Sequence, residues 1–210
     1  MGKEFPILYS FRRCPYAIRA RWALLSSNVD VELREVVLKD KPNDFLKVSN
    51  SGTVPCLISR DSIIDESMDI MIWALKKNDP DGWLDMPDEG YLLVDEVEKS
   101  FKPHLDATKY ASRYPDHQSK ESRGMAIAFL IDFDKKIHDQ FLFGNRPKLA
   151  DVAIFPFVRQ FANIDIKWFE EFQWKKLKDW LHAFVGSNMF EKSQKKFDQW
   201  RPDGAPVYFP

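Results

Sequence analysis

An apolar run, a cysteine and a proline follow one another in the stretch Ile7-Leu8-Tyr9-Ser10-Phe11-Arg12-Arg13-Cys14-Pro15-Tyr16-Ala17. The apolar run predicts a β-strand, and the apolar spacing over residues 18–25 predicts a helix that begins at Pro15, where proline is well tolerated. Cys14 would then lie at a helix N-terminus, where free N–H groups and the helix dipole favour a negative charge. A thiol so placed typically has its pKa lowered from about 8.5 to roughly 3.5–7.5. We therefore interpret Cys14 as a reactive thiol, with a small buried core residue as the alternative.

The arginines near Cys14 and the second cysteine of the chain also bear on the reactivity of Cys14. Four arginines close to Cys14 in the sequence are expected to add positive charge around its sulfur: Arg12, Arg13, Arg19 and Arg21. The second cysteine, Cys56, falls inside a predicted strand directly after a proline. We expect Cys56 to be a buried core residue rather than a redox partner.

The composition is that of an ordinary globular protein, with 210 residues of which 44% are hydrophobic and 30% are charged. Its formal net charge of -1 argues against a nucleic-acid partner. Two cysteines are too few for a disulfide scaffold and fit a reducing compartment. The first residues, 1–6, lack the regions of a signal peptide, and no run of about 18 apolar residues predicts a membrane span. We expect a cytoplasmic protein with no membrane partner and no bound metal.

The first part of the chain predicts alternating strands and helices. Residues 31–37 alternate in the manner of a second strand, Pro42 begins a short helical segment, and residues 54–58 predict a third strand. A hairpin then leads to residues 62–64, and Ser67 stands at the beginning of another helix. The predicted order is β-α-β-α-β-β-α within about eighty residues. We assign this α/β domain to residues 1–79.

Strand signals end at a polar connector, residues 78–90, which is rich in Asp, Pro and Gly. Beyond it, apolar residues recur at helical spacing, which predicts an all-helical domain over residues 80–210. Three predicted core stripes are Val94, Val97, Phe101 and Leu105; Met125, Phe129, Phe133, Ile137 and Phe141; and Trp174, Leu177, Leu181 and Phe184. Asp151, near the start of the most apolar helix, is interpreted as a helix cap rather than as a functional carboxylate.

Taken together, these residues resemble a cytosolic glutathione S-transferase. The resemblance covers nearly the whole chain: the β-α-β-α-β-β-α order, the Val54-Pro55 pair, Glu66-Ser67 after the hairpin, the linker, and Leu149-Ala150-Asp151. It implies a thioredoxin-like N-terminal domain followed by an all-helical bundle domain, with glutathione as the co-substrate and a homodimer as the usual assembly. The Cys14-Pro15-Tyr16-Ala17 motif resembles cysteine-type members of the omega class and is similar to the glutaredoxin Cys-Pro-Tyr-Cys motif.

The resemblance also implies a set of glutathione-binding residues. In that family the peptide bond before the proline corresponding to Pro55 is cis, and the backbone of the preceding residue, here Val54, pairs with the cysteinyl part of glutathione. Ser67 and the N–H groups of its helix would hold the γ-glutamyl carboxylate, and Glu66 would pair with the α-amine. Lys41 would offer charge to the glycyl carboxylate. Plain helix capping by Glu66 and Ser67, and a solvated Lys41, are the alternatives.

Cys14 is the catalytic residue that the resemblance implies. The residue at position 17, Ala17, indicates which type of thiol chemistry Cys14 would perform. Dithiol chemistry needs a second cysteine at position 17, so we predict a single-cysteine thiol transferase: Cys14 attacks the glutathionyl sulfur of a mixed disulfide, and a second glutathione regenerates it. Conjugation of glutathione to small electrophiles, with Tyr9 or Ser10 as the hydroxyl donor, is the second hypothesis. A non-enzymatic binding module on the same fold is the third.

The second substrate is expected to be a small-molecule or protein mixed disulfide. The resemblance implies that it binds in a cleft between the two domains, and the candidate residues are Phe11, Tyr110, Arg113, Tyr114 and Arg159. Each aromatic residue among them could equally belong to the core.

One departure from the family concerns the most apolar helix. Family members usually carry Ser or Thr three residues before the buried Asp, and the two form a capping box. In this chain that position is Lys148, so the hydroxyl half of the box is absent. We expect a weaker cap, with the fold retained.

Overall fold

The structure is a computed structural model that describes residues 5–60 and 62–210. The expectation for the N-terminus rests partly on residues 1–4, which lie outside the described residues. Contacts within the chain divide it into two compact units. The first comprises Met1–Gly82 and Ser187–Pro210, and the second comprises Trp83–Gly186.

The first unit contains a five-stranded mixed sheet. Its elements are β1 (Ile7–Ser10), α1 (Pro15–Ser27), β2 (Val31–Glu35), α2 (Asn43–Val48), β3 (Cys56–Ile58), β4 (Ile63–Ile64), α3 (Ser67–Leu75), α10 (Asn188–Ser193) and β5 (Tyr208–Phe209). The strand order is β4-β3-β1-β2-β5. β1 pairs in parallel with β2 and antiparallel with β3, which in turn pairs antiparallel with β4. The predicted β-α-β-α-β-β-α order is therefore confirmed.

The residues at the two ends of α1 explain where this helix begins and ends. Pro15 is its first residue, because a proline there gives up no intrahelical hydrogen bond. Asn28 ends it with φ 52° and ψ 42°, a left-handed conformation that asparagine tolerates better than most residues. The β2 strand alternates between buried and half-buried residues, and its last buried position is occupied by the charged residue Glu35.

The end of the chain returns to the sheet of the first unit. β5 pairs antiparallel with β2, with Val31 opposite Phe209, and the Leu33 N–H donates to the carbonyl oxygen of Val207 at 2.7 Å. The sequence does not predict this strand, since it assigns residues 80–210 to helices alone. A two-residue strand carries no alternation of its own; it forms because the edge of β2 offers unpaired backbone groups.

The elements of the second unit are helices. They are α4 (Asp88–Glu96), a π-helical turn (Val97–Phe101), α5 (Lys102–Lys109), a 3₁₀ turn (Ala111–Arg113), α6 (Asp116–Lys136), α7 (Leu149–Ala162), α8 (Ile166–Glu171) and α9 (Leu177–Val185). The helical prediction for this part is confirmed, and so is the first core stripe, from Val94 to Leu105, which is buried throughout. Within residues 5–60 and 62–210, no helix has the length and apolar character needed to cross a membrane.

The second core stripe is displaced from its predicted position. Met125 is 52% exposed, and α6 ends at Lys136, so that Ile137 and Phe141 lie beyond the helix. The buried side chains of α6 are Ser122, Ala126, Leu130, Phe133 and Asp134. The sequence pattern placed only large apolar residues in the core, whereas this helix also buries an alanine, a serine and an aspartate. Its buried face is therefore shifted by about one residue from the predicted face.

Candidate active site

Cys14 lies at the junction of the first strand and the first helix. It is the N-cap residue of α1, and its own N–H donates to the carbonyl oxygen of Phe11 at 2.9 Å, which closes a turn over residues 11–14. Its side chain is half-buried, and its sulfur donates a hydrogen bond to the carbonyl oxygen of Val54 at 3.5 Å. The predicted position of Cys14 at a helix N-terminus is confirmed.

The loop of residues 49–54 is contacted both by Cys14 and by a second predicted site residue, Lys41. Its last residue, Val54, is linked to Pro55 by a cis peptide bond, as the resemblance implied. Two residues earlier, the carbonyl oxygen of Gly52 accepts a hydrogen bond from the Lys41 ammonium group at 2.8 Å. Cys14 and Lys41 therefore contact the same loop, two residues apart.

Asp65 fixes the beginning of this loop. One carboxylate oxygen accepts a hydrogen bond from the Ser49 hydroxyl at 2.8 Å, and the other accepts from the N–H groups of Asn50 and Ser51 at 2.8 and 3.3 Å. Burial works to raise the pKa of Asp65, but the hydrogen bonds from Cys56, Ser49 and the two backbone N–H groups outweigh it, so the pKa lies below its ordinary value.

The lowered pKa of Asp65 predicts a pH-dependent difference between the protein and an Asp65→Asn variant. A carboxylate whose pKa is lowered by folding stabilises the folded state above its ordinary pKa of about 3.9, and this contribution is lost as the pH falls through the lower pKa of the folded protein. At pH 7 we expect the variant to be less stable by about 1 kcal/mol. Urea unfolding should show this gap narrowing below about pH 4; a gap that stays constant or widens there would contradict the assignment.

Glu66 and Ser67 follow Asp65 at the start of α3 and are placed very differently. The Glu66 side chain is exposed, and although Glu66 is the N-cap residue, its carboxylate makes no capping hydrogen bond. Ser67 is buried, and its hydroxyl oxygen accepts a hydrogen bond from Nε of Arg19 at 2.9 Å. Capping therefore does not explain Glu66, and Ser67 is held from the side by α1.

The four arginines close to Cys14 in the sequence differ in burial and in their partners. Arg19 and Arg21 are fully buried, and each donates to a hydroxyl oxygen through its Nε, that of Ser67 for Arg19 and that of Ser10 for Arg21. Arg13 is exposed, with its guanidinium carbon 5.3 Å from the centre of the Phe11 ring. Buried guanidinium groups need hydrogen-bond acceptors, and Arg19 and Arg21 find theirs inside the first unit.

The two hydroxyl groups considered for conjugation are both buried. The Tyr9 hydroxyl accepts a hydrogen bond from Arg34 at 2.7 Å, and burial raises the pKa of Tyr9. The Ser10 hydroxyl accepts from Arg21 at 2.9 Å, and Ser10 has no exposed surface. Neither side chain can reach a ligand without rearrangement of the sheet. Tyr16, in the first turn of α1, is a half-buried residue close to Cys14 in the chain.

Cys56 is a core residue, as predicted. It has no exposed surface, and burial together with a hydrogen bond to Asp65 raises the pKa of its thiol to about 12. It packs in a cluster with Tyr9, Phe45 and Val54. Since the thiolate is the reactive form of cysteine, Cys56 is an unreactive thiol in the folded protein.

The predicted substrate residues lie on both units. Phe11 is half-buried against the cluster that contains Cys56. Tyr110 follows α5, and the Arg113 guanidinium carbon lies 4.4 Å from the centre of its ring. Tyr114 is 36% exposed, and Arg159 lies near the end of α7 with a half-buried side chain. Tyr110 and Arg113 form a local pair; the role of the whole group stays a prediction.

Sequence reasoning missed the part of this site that comes from the end of the chain. Lys41 lines a cleft of about 440 Å³ together with Trp200 and Arg201. The Trp200 N–H donates to the carbonyl oxygen of Glu35 at 2.9 Å, and the Arg34 guanidinium carbon lies 4.4 Å from the centre of the Trp200 ring. These contacts join residues more than 150 positions apart, so no local pattern could have indicated them.

Two family models match this chain. Residues 8–82 match the family model for the glutathione S-transferase N-terminal domain, and residues 116–183 match the model for the glutathione S-transferase C-terminal domain. The two models together cover well over half of the chain. A thioredoxin-like glutathione-binding domain followed by a helical domain defines this class, and the chain belongs to the glutathione S-transferase family.

Solved structures of the same fold come from fungi, plants and bacteria. An omega-class glutathione transferase, Omega 3C from Trametes versicolor, superposes with a TM-score of 0.79 at 18% identity over 94% of this chain and 87% of its own. A family member from Pseudomonas fluorescens, solved with two glutathione molecules bound, gives 0.77 at 19% over 91% and 92%. A tau-class transferase from mango, Mangifera indica, gives 0.75 at 21% over 93% and 94%.

Proposed function

We propose that this protein is a glutathione-dependent thiol transferase that uses the single cysteine Cys14 to reduce mixed disulfides, in the manner of omega-class transferases. The observation that carries the proposal is the position of Cys14 at the start of α1, where it is the N-cap residue of the helix. Free N–H groups at the start of a helix favour a negatively charged sulfur. The burial of Tyr9 and Ser10 supports thiol transfer over conjugation.

The proposed reaction has two thiol–disulfide exchange steps. The Cys14 thiolate attacks the glutathionyl sulfur of the mixed disulfide, whose S–S bond breaks; the substrate leaves as a thiolate and takes up a proton from solvent. Cys14 is now in a disulfide with the glutathionyl group. The thiolate of a second glutathione attacks that group, so that oxidised glutathione leaves and the Cys14 thiolate is restored. Because position 17 is Ala17 and Cys56 is buried, the resolving thiol is supplied by glutathione.

The residues around the loop of residues 49–54 fit the charges of glutathione, which has two carboxylates and one amine. The exposed Glu66 carboxylate suits the amine, and the N–H groups at the start of α3, beside Ser67, suit the γ-glutamyl carboxylate. Lys41 donates one hydrogen bond to Gly52, and an ammonium group carries three donors, which leaves it able to bind the glycyl carboxylate as well.

This assignment predicts that Glu66→Gln weakens glutathione binding by about tenfold, since a hydrogen bond to a charged group contributes about 1.5–3 kcal/mol. Isothermal titration with reduced glutathione measures the change. Asp69→Asn is the matched control, because Asp69 is an exposed acid in the first turn of the same helix. If both variants bind as tightly as the unaltered protein, Glu66 has no role in recognition.

Two assays on the unaltered protein test the proposed function. The first measures glutathione-dependent reduction of 2-hydroxyethyl disulfide, and the second measures conjugation of glutathione to 1-chloro-2,4-dinitrobenzene. We expect clear activity in the first and weak activity in the second. The opposite order would favour conjugation, for which Tyr16, two residues after Cys14 in the chain, is a candidate hydroxyl donor. Absence of glutathione binding in titration would favour a non-enzymatic binding module.

Two further properties belong to the proposal. We infer a homodimer from the resemblance to the family, and sedimentation equilibrium would measure it. We also infer a cytoplasmic location, since neither cysteine forms a disulfide and a reactive thiol such as Cys14 needs a reducing compartment.

A further inference from the structure

A buried ion pair lies next to the turn that carries Cys14. Glu35, the last residue of β2, is 8% exposed, and one of its carboxylate oxygens accepts a hydrogen bond from the backbone N–H of Arg12 at 2.7 Å. The other oxygen pairs with the guanidinium group of Arg21, which is fully buried. Arg21 also donates from Nε to the hydroxyl of Ser10 at 2.9 Å.

The same pair is tied to the C-terminal segment. Arg21 donates a hydrogen bond to the carbonyl oxygen of Ser193 at 3.2 Å, and the backbone carbonyl of Glu35 accepts from the N–H of Trp200 at 2.9 Å. The Glu35 carboxylate itself contacts Arg12 and Arg21, and Arg21 is fixed in turn by Ser10 of β1 and Ser193 of the C-terminal segment. Arg21 therefore orients the carboxylate toward the Arg12 N–H.

The contact to Arg12 acts on the geometry of the reactive thiol. Arg12 is the second residue of the four-residue turn that ends at Cys14 and is closed by the hydrogen bond from the Cys14 N–H to Phe11. A carboxylate that holds the N–H of this second residue restricts the turn to one conformation. The direction of the Cys14 side chain, toward the start of α1 and the Val54 carbonyl, depends on that conformation.

A contribution to the free energy of unfolding does not by itself explain the buried ion pair between Arg21 and Glu35. Taking two charges out of water costs free energy that their attraction offsets only in part, and replacing a buried ion pair with apolar residues is often neutral or stabilising. An apolar pair at positions 21 and 35 would fill the same space but could not accept the Arg12 N–H.

We propose that Glu35, oriented by Arg21, is a positioning residue for Cys14, which it serves by holding the Arg12 N–H and thereby the turn over residues 11–14. The inference rests on the proposed function in one respect only, that Cys14 is the reactive thiol. It does not depend on which glutathione reaction follows.

Two double variants test the proposal, Arg21→Met/Glu35→Gln and Arg21→Met/Glu35→Leu. Both remove the buried guanidinium and the carboxylate, so the two proteins have the same charge and neither buries an unpaired ion. Only the glutamine keeps an oxygen that can accept the Arg12 N–H. The readout is the rate of alkylation by iodoacetamide from pH 5 to 10. This rate reports on Cys14, since Cys56 has no exposed surface and a pKa of about 12.

We expect the leucine variant to be alkylated about tenfold more slowly than the glutamine variant at neutral pH, with the midpoint of its pH–rate profile moved to higher pH, because a misplaced reactive group loses rate steeply. The unfolding midpoints of the two variants, measured by circular dichroism, should be similar. Two folded variants with the same pH–rate profile would overturn the proposal.

A measurement on the unaltered protein decides the matter if the double variants do not fold. The Arg12 amide should exchange its hydrogen slowly, because it donates to the buried Glu35 carboxylate, and exchange as fast as that of an exposed loop amide would overturn the proposal. Because neither alkylation nor exchange uses glutathione, both can support positioning by Glu35 even if the thiol transfer assay fails, and the two failures stay distinguishable.

Discussion

Replacing Cys14 by serine is expected to lower the rate of thiol transfer from a glutathione mixed disulfide by about a thousandfold or more, a loss typical of removing a nucleophile. A serine hydroxyl at this position is not ionised near neutral pH and forms no disulfide with the glutathionyl group. The reduction of 2-hydroxyethyl disulfide, followed with both proteins at equal concentration, measures the effect.

The second cysteine provides the matched control for this experiment. Cys56→Ala removes a thiol that is fully buried and has a pKa of about 12, and the variant should keep most of the transferase activity. If Cys14→Ser retains full transfer activity, Cys14 is not the nucleophile. A serine variant that gains conjugating activity would show instead that the site activates glutathione itself, with Cys14 directing the type of reaction.

Replacing Asp151 by alanine is expected to destabilise the protein by about 3–5 kcal/mol. Asp151 has no exposed surface, and its carboxylate accepts hydrogen bonds from the N–H groups of Leu142 and Lys148 at 2.9 and 3.0 Å and from Nε1 of Trp180 at 2.8 Å. Alanine would remove the acceptor of these three hydrogen bonds, two of which are buried. Thermal unfolding should show a loss of roughly 10 °C or more.

An exposed aspartate in the same unit gives the control for that experiment. Asp132 lies on α6 and pairs with Lys135 on the surface at 2.7 Å. Asp132→Ala should leave the unfolding midpoint unchanged within experimental error, because exposed ion pairs contribute little. If Asp151→Ala unfolds at the same temperature as Asp132→Ala, the buried hydrogen bonds of Asp151 are not what stabilises this unit.

The cap at the start of α7 illustrates what the sequence could and could not predict. The role of Asp151 as a cap was predictable from its place in the first turn, and the hydrogen bond from the Lys148 N–H confirms it. The missing hydroxyl at position 148 suggests a weak cap. The structure adds two further donors, Leu142 and Trp180, which come from a loop and another helix and have no signature in the local sequence.

The first unit was predictable where local chemistry decides the structure. Pro15 and the apolar spacing after it predicted Cys14 at a helix N-terminus, and residues 54–58 predicted the third strand, which begins at Cys56. Resemblance rather than pattern indicated the cis bond between Val54 and Pro55. These features depend on residues close together in the chain, which is why a single sequence suffices for them.

Long-range pairings were not predictable in the same way. Glu35 occupies a buried position in a strand whose alternation predicts an apolar residue there, and the charge is explained only by Arg21 and the Arg12 N–H. β5 forms where a free strand edge accepts it, and although Tyr208 and Phe209 are residue types that favour strands, two residues are too few to show an alternation. Met125 was placed in the core because it is large and apolar, although the inner face of α6 is set by smaller residues.

The central claim is that Cys14 alone carries the glutathionyl group during the reaction. Its most direct test is the intact mass of the folded protein after incubation with oxidised glutathione, followed by peptide mapping. We predict the addition of one glutathionyl group, located on Cys14, removed by reduced glutathione and absent from Cys14→Ser. An adduct on Cys56, or a protein that remains unmodified while it still transfers thiols, would contradict the claim.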